Sequence, residues 1–201
     1  MDARYKNSVT SPRIPGFVWQ EPQDSRDLSI FRDITTHGCS VLQITPDDTN
    51  PDLPYDYCYS IGFYLNLGHA EFLVMGITNI GNMMNDLFSY VETGHSVADQ
   101  HSIRYDLGRG EVQFKARPVP QERYFDYLGY GCWFYRSLLF KAPAVAAHKF
   151  PVLQLCWPDK NGYYPWEPAC DPRARQIQTL EPMESETNTE PDAPADSPRG
   201  L

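Results

Sequence analysis

The chain has 201 residues, a net charge of −9 and a mean hydropathy of −0.50. A body of about 180 residues suffices for one sizeable core, and an aromatic fraction of 13% with 13 Tyr and 10 Phe points to a strand-containing globular domain. The acidic body is a poor match for phosphate backbones, which argues against nucleic acid; no run approaches the ~18–20 apolar residues of a membrane span.

Residues 1–22 are polar and broken by Pro12, Pro15 and Pro22, an extended N-terminal arm from which Phe17, Val18 and Trp19 could dock. Asp24 to Thr36 has helical spacing in Leu28, Phe31, Ile34 and Thr35, with Asp24 or Ser25 as N-cap and Gly38 past the end. Cys39 to Thr45 is a first strand and Pro46 to Pro54 a loop. Tyr55 to Phe63 alternates: Tyr55, Tyr57, Tyr59 and Ile61 share one side, Asp56, Cys58 and Ser60 the other. Glu71 to Ile77 is apolar on both faces, which predicts a central strand. Asn79 to Thr93 carries Met83, Met84, Leu87, Phe88 and Val91 on one helical face. His95 to Gly110 is polar and punctuated by glycine, a connecting segment.

Glu111 to Val119 alternates as a fourth strand, with Val112, Phe114 and Ala116 inward and Lys115 and Arg117 outward. Gln121 to Leu139 is aromatic and helical, divided near Gly129 and Gly131. Phe150 to Trp157 is a fifth strand. It enters an aromatic corner, Trp157-Pro158-Asp159-Lys160-Asn161-Gly162-Tyr163-Tyr164-Pro165-Trp166-Glu167, whose Asn161-Gly162 suits a tight turn. Residues 181–201 hold six acids against one base and little to bury, a disordered acidic tail. The expectation is a single α+β domain over 23–180, with a mostly antiparallel sheet of about five strands and helices on one face. Short connections make residues 39–45 and 55–63, and then 55–63 and 71–77, antiparallel neighbours.

Several residues invite chemistry. His69 and Glu71 lie two apart on a strand and point to one side, so they could be a base and its orienter, with Asp159 as a second acid. The same two could ligate a metal if His37, Asp159 or Glu167 joined them, but no dense His/Cys cluster supports this, and no metal is assigned. The structural alternative has His69 bonding a turn and Glu71 paired on the surface. His37 in a last helical turn is explained by the helix dipole, and Cys39, a conceivable nucleophile beside it, starts a core-like strand. Asp159 and Glu167 could act together as in glycoside hydrolysis, although Asp159 also suits a turn that bonds its own backbone. The loop Gly76 to Asn82 lacks the lysine and the third glycine of phosphate-binding patterns and is a helix start. The five cysteines, odd in number and without a C-x-x-C pair, suit reduced thiols in a cytoplasmic protein. The N-terminus lacks the apolar stretch of a secretory signal.

Tyr59-Ser60-Ile61-Gly62-Phe63, Gly68-His69-Ala70-Glu71-Phe72, Gln154-Leu155, Trp157-Pro158-Asp159, Gly162 and Pro165-Trp166-Glu167 together resemble a bacterial family of small proteins catalogued only as a domain of unknown function. The resemblance covers roughly residues 37–178. It implies a small cytoplasmic α+β domain and transfers no activity. The expected function is a binding or regulatory module that holds a small molecule or a partner protein. Its aromatic, acidic pocket would be lined by Tyr57, Tyr59, His69, Trp157, Trp166 and Glu167. One alternative is a hydrolase or transferase using His69, Glu71 and Asp159. Another is an immunity-type or scaffold protein that binds a basic partner. Homodimerisation stays open, and the residues name no cofactor.

Overall fold

The computed structural model describes residues 14–46, 55–108, 110–139 and 150–178. Most of the N-terminal arm and the whole acidic tail lie outside these residues, as does His148.

Six strands form one sheet: β1 (Ser40–Ile44), β2 (Tyr57–Ile61), β3 (Glu71–Met75), β4 (Ser102–Asp106), β5 (Glu111–Pro118) and β6 (Val152–Cys156). Their spatial order is β1-β2-β3-β6-β5-β4. β1 pairs antiparallel with β2 and β2 with β3, as the short connections require. β3 and β6 are parallel, with Glu71 opposite Val152, and the β5–β6 and β4–β5 pairs are antiparallel. Every residue of β2, β3 and β6 is buried, which agrees with the unbroken apolar character of β3.

The helices are α1 (Ser25–His37), α2 (Phe63–Leu67), α3 (Gly81–Glu92), α4 (Tyr124–Tyr127), α5 (Gly129–Phe134), α6 (Arg136–Leu139) and α7 (Pro172–Gln178), with a 3-10 turn at Gln121–Arg123. α1 starts where Asp24 Oδ1 accepts from the Asp27 N–H at 2.8 Å while Asp27 Oδ2 accepts from the Gln23 N–H at 2.9 Å, a reciprocal cap. It stops at Gly38, whose left-handed φ of 88° lets its N–H reach Ile34 O.

Two corrections follow. First, helices cover both faces of the sheet. One core gathers Phe31 and Ile34 of α1, Tyr57, Tyr59 and Leu73 of the sheet, and Tyr127, Phe134 and Leu138 of α4 to α6. The other gathers Met83, Leu87 and Phe88 of α3 with Cys58, Phe72, Phe114 and Leu155. Alternate residues of β2 and β3 serve opposite cores, so strands that are apolar throughout need a cover on each side. Second, the sheet has six strands among the described residues, because Ser102–Asp106 pairs with β5. Leu28, placed on the buried face of α1 by its spacing, is 55% exposed. Of the arm residues expected to dock, Phe17 and Trp19 pack edge-on at 5.4 Å and both meet Phe134, whereas Val18 is 56% exposed.

Candidate functional site

The two short motifs at Ser60–Gly62 and Gly68–Glu71 meet in the interior. Glu71 heads β3 and is 1% exposed. Its Oε2 accepts from Ser60 Oγ at 2.6 Å. Its Oε1 accepts from the backbone N–H groups of Gly62 at 2.8 Å and Tyr64 at 3.0 Å and from the Tyr135 hydroxyl at 2.5 Å. Four donors replace the hydration of the carboxylate, which is how a charge is tolerated without a cation. Ser60 Oγ also accepts from the Phe72 N–H at 2.9 Å. Burial, reinforced by Glu71, pushes the Tyr135 hydroxyl well above its ordinary value, so it stays protonated as a donor. Gly62 takes φ of 124°, and a Cβ there would stand 2.5 Å from Gly38 O and 2.8 Å from Cys39 Cα. Only glycine fits that turn.

His69 has partners of its own. Its Nδ1 lies 2.8 Å from Ala70 O, and Nε2 accepts from the Val97 N–H at 2.9 Å. These contacts define a neutral ring with its proton on Nδ1. The ring packs against Phe72 and Phe63 at 5.2 and 6.4 Å. His69 and Glu71 therefore do not act on each other: one ties the 95–101 segment to the sheet, the other joins β2, α2 and α5–α6. Asp159 is elsewhere again. Its carboxylate accepts from Asp171 N, Tyr163 N and Asn161 N at 2.8, 3.0 and 2.8 Å. The Asp171 N–H, then those of Tyr163, Asn161 and Gly162, hold it below the usual carboxylate range against the opposing cost of burial. Glu167 Oε2 accepts from Tyr164 N at 2.6 Å within the same corner.

The pocket expected from Tyr57, Tyr59, His69, Trp157, Trp166 and Glu167 is not assembled. Tyr57 and Tyr59 stack at 6.3 Å inside the first core, and Tyr59 Oη accepts from Tyr130 N. Burial raises Tyr57 to about 12. His69 lies among second-core rings, and Trp157, packed against that core, is clamped by α7. Gln178 accepts from its N–H at 2.8 Å and donates to its carbonyl at 2.9 Å, while Trp157 Nε1 donates to Met75 O at 2.8 Å. Trp166 instead stacks on Tyr164 at 5.1 Å and 10°, beneath Arg117 at 4.9 Å. Lys115 and Arg117 alternate with Phe114 and Ala116 of the second core, so Trp166 is on the sheet face opposite His69. Cys39 is no nucleophile partner for His37: burial, then Glu71 and Asp33, push its thiol to about 12. Among the described residues no group of three or more His, Cys, Asp or Glu side chains comes together as for a metal ion.

Open space lies where the sequence drew no attention. A cleft of about 710 Å³ runs between α3 and the edge strand β4, with Leu87, Val97 and Ile103 as apolar lining and Tyr90, His101 and Arg104 among its polar residues. A second, of about 660 Å³, adjoins the Gly76–Asn82 loop and the β4–β5 turn. Met83 and Tyr105 line both, and the Tyr105 hydroxyl donates to Asp86 Oδ2 at 2.8 Å across the boundary. That bond is the largest cause of the raised Tyr105 pKa. The signal missed was Ser102-Ile103-Arg104-Tyr105-Asp106, a strict polar–apolar alternation hidden among glycines.

The geometry thus defines an α+β domain pinned by a buried carboxylate, with its clefts at one edge of a doubly covered sheet. Residues 33–171, more than two thirds of the chain, match the family described as "Domain of unknown function (DUF4262)", and the chain belongs to that family. No curated protein and no solved structure matches it. No helix among the described residues is long and apolar enough to cross a membrane.

Proposed function

We propose that the protein is a binding module whose ligand is a small molecule held in the α3–β4 cleft. The observation that carries this reading is a concave space of about 710 Å³ in which Met83, Leu87, Val97 and Ile103 stand among polar residues such as Asp86 and His101. That size lies within the range of small-molecule sites, ~300–1,000 Å³. Leu87, Val97 and Ile103 would take the apolar body of a ring-bearing ligand. Asp86 and His101 offer hydrogen bonds to one polar end, and Tyr105 fixes the boundary with the neighbouring cleft. A catalytic reading draws less support, because His69, Glu71 and Asp159 occupy three separate hydrogen-bond networks. A cytoplasmic setting, a bacterial source and homodimerisation belong to the same proposal, from composition and resemblance alone.

Thermal unfolding of the full chain against a library of ring-containing fragments tests it. A compound at 100 times its Kd stabilises by about 2.7 kcal/mol. Hits should raise the Tm of the wild type and lose that effect in Ile103→Trp, which fills the cleft from β4. Hits that stabilise both proteins equally, or an unresponsive wild type, would contradict the reading.

A further inference from the structure

A second surface lies on the other face of β5. Trp166 and Tyr163 are 42% and 41% exposed. The Trp166 ring lies on Tyr164, whose hydroxyl donates to Gln113 O at 2.9 Å. Lys115 Nζ sits 4.3 Å from the Tyr164 ring centre, and the Arg117 guanidinium 4.9 Å from that of Trp166. Asp159 and Glu167 bond the backbone beneath, so these rings are held in place rather than loosely displayed. The acid paired with these cations is Asp99, 3.7 Å from Arg117, a long and solvent-exposed contact of a kind that binds its partners weakly. Stacked aromatics with Arg and Lys are suited to an acidic, proline-bearing segment: carboxylates meet the cations, and proline rings lie flat on Trp or Tyr.

The chain carries such a segment in its sequence, three residues beyond the end of α7. Residues 181–201 contain Glu181, Glu184, Glu186, Glu190, Asp192 and Asp196, interleaved with Pro182, Pro191, Pro194 and Pro198. α7 ends at Gln178, whose carbonyl accepts from Gln154 Nε2 at 2.7 Å. Gln154 is the register partner of Arg117. The described chain therefore ends against the side chain of the residue that pairs with Arg117. Glu181 is three residues further on, within ~10 Å of reach. A tether this short gives an effective concentration in the millimolar range, so even weak contacts are populated. We propose that residues 181–201 fold back in cis over Tyr164 and Trp166, with their first acids on Lys115 and Arg117. This surface is independent of the α3–β4 cleft, and either reading can fail alone.

The test is the nitrogen-15 NMR spectrum of the full chain beside two full-length variants. One neutralises the tail (Glu181→Gln, Glu184→Gln, Glu186→Gln, Glu190→Gln); the other reverses the surface (Lys115→Glu with Arg117→Glu). In both, the Trp166 indole and β5 amide signals should move to the same new positions, and residues 181–190 should relax like free chain. About 1 M salt, with a Debye length of ~3 Å, should produce the same shift in the wild type. Trp166 signals that stay put when the tail is neutralised would overturn the proposal. So would shifts that fade on dilution, which would place the tail on a second copy. The neutral-tail variant leaves the body's sequence intact, so the result does not hang on the folding of the charge-reversed one.

Discussion

At the scale of single residues, Glu71 explains why its two motifs travel together in one chain. Ser60 and the Gly62 N–H supply donors from one motif, and the other supplies the acceptor. Removing the charge leaves donors facing an amide, and uncompensated buried groups cost about 1–3 kcal/mol each. Glu71→Gln should therefore lose about 2–4 kcal/mol in urea unfolding, against about 1–2 kcal/mol for Tyr135→Phe, which deletes one donor and keeps the carboxylate. An unchanged Glu71→Gln midpoint would mean the network carries no net stability. Asp159 gives a prediction in pH. Its folded pKa is depressed, so its contribution is complete above the unfolded value of about 3.9 and is lost as pH falls from there through the lower folded value. Denaturation of wild type and Asp159→Asn across acid pH should show a stability gap at neutral pH that narrows below about pH 4. A gap constant with pH would assign the difference to shape rather than charge.

At the scale of elements, strong periodicity was legible and exposure was not. α1 follows from its capping residues and apolar spacing, α3 from apolar spacing alone, and the pairing of β1, β2 and β3 from short loops. The all-buried β3 follows from its lack of alternation. β4 was concealed because its buried side is only Ile103 and Tyr105, both partly exposed, on an edge with one partner. Helices on the second face could not be read from any one segment, since each needed the sheet to sort odd from even residues. The six expected pocket residues shared a composition, aromatic and polar, but composition does not say which face a side chain takes. The catalytic candidates His69, Glu71 and Asp159 are each buried and bonded locally. The topology predicts an order of hydrogen exchange. Amides of β3 and β6, central and flanked on both sides, should exchange slowest, and those of β4 fastest among the strands. His69→Phe should further speed exchange at Val97, whose N–H would lose its acceptor. Slow exchange throughout β4 in the wild type would show that edge covered by something in solution.

At the scale of the whole molecule, two cores share one sheet. Phe72 and Tyr59 lie on neighbouring strands yet serve opposite cores, so neither core is complete without the strands that support the other. Phe72→Ala in the second core and Phe134→Ala in the first should each cost about 3–5 kcal/mol, and fluorescence and circular dichroism should still report one coincident transition. Two separated transitions would divide the molecule into independent halves. The cleft sits between α3 and the sheet edge, and it is the feature on which the proposed function stands. A crystal structure of the full chain soaked with the fragment that most raises its Tm is the most direct test. The account predicts that molecule between Leu87 and Ile103 with its polar end toward Asp86 or His101. Density for it elsewhere, with the α3–β4 cleft filled by solvent alone, would contradict the account.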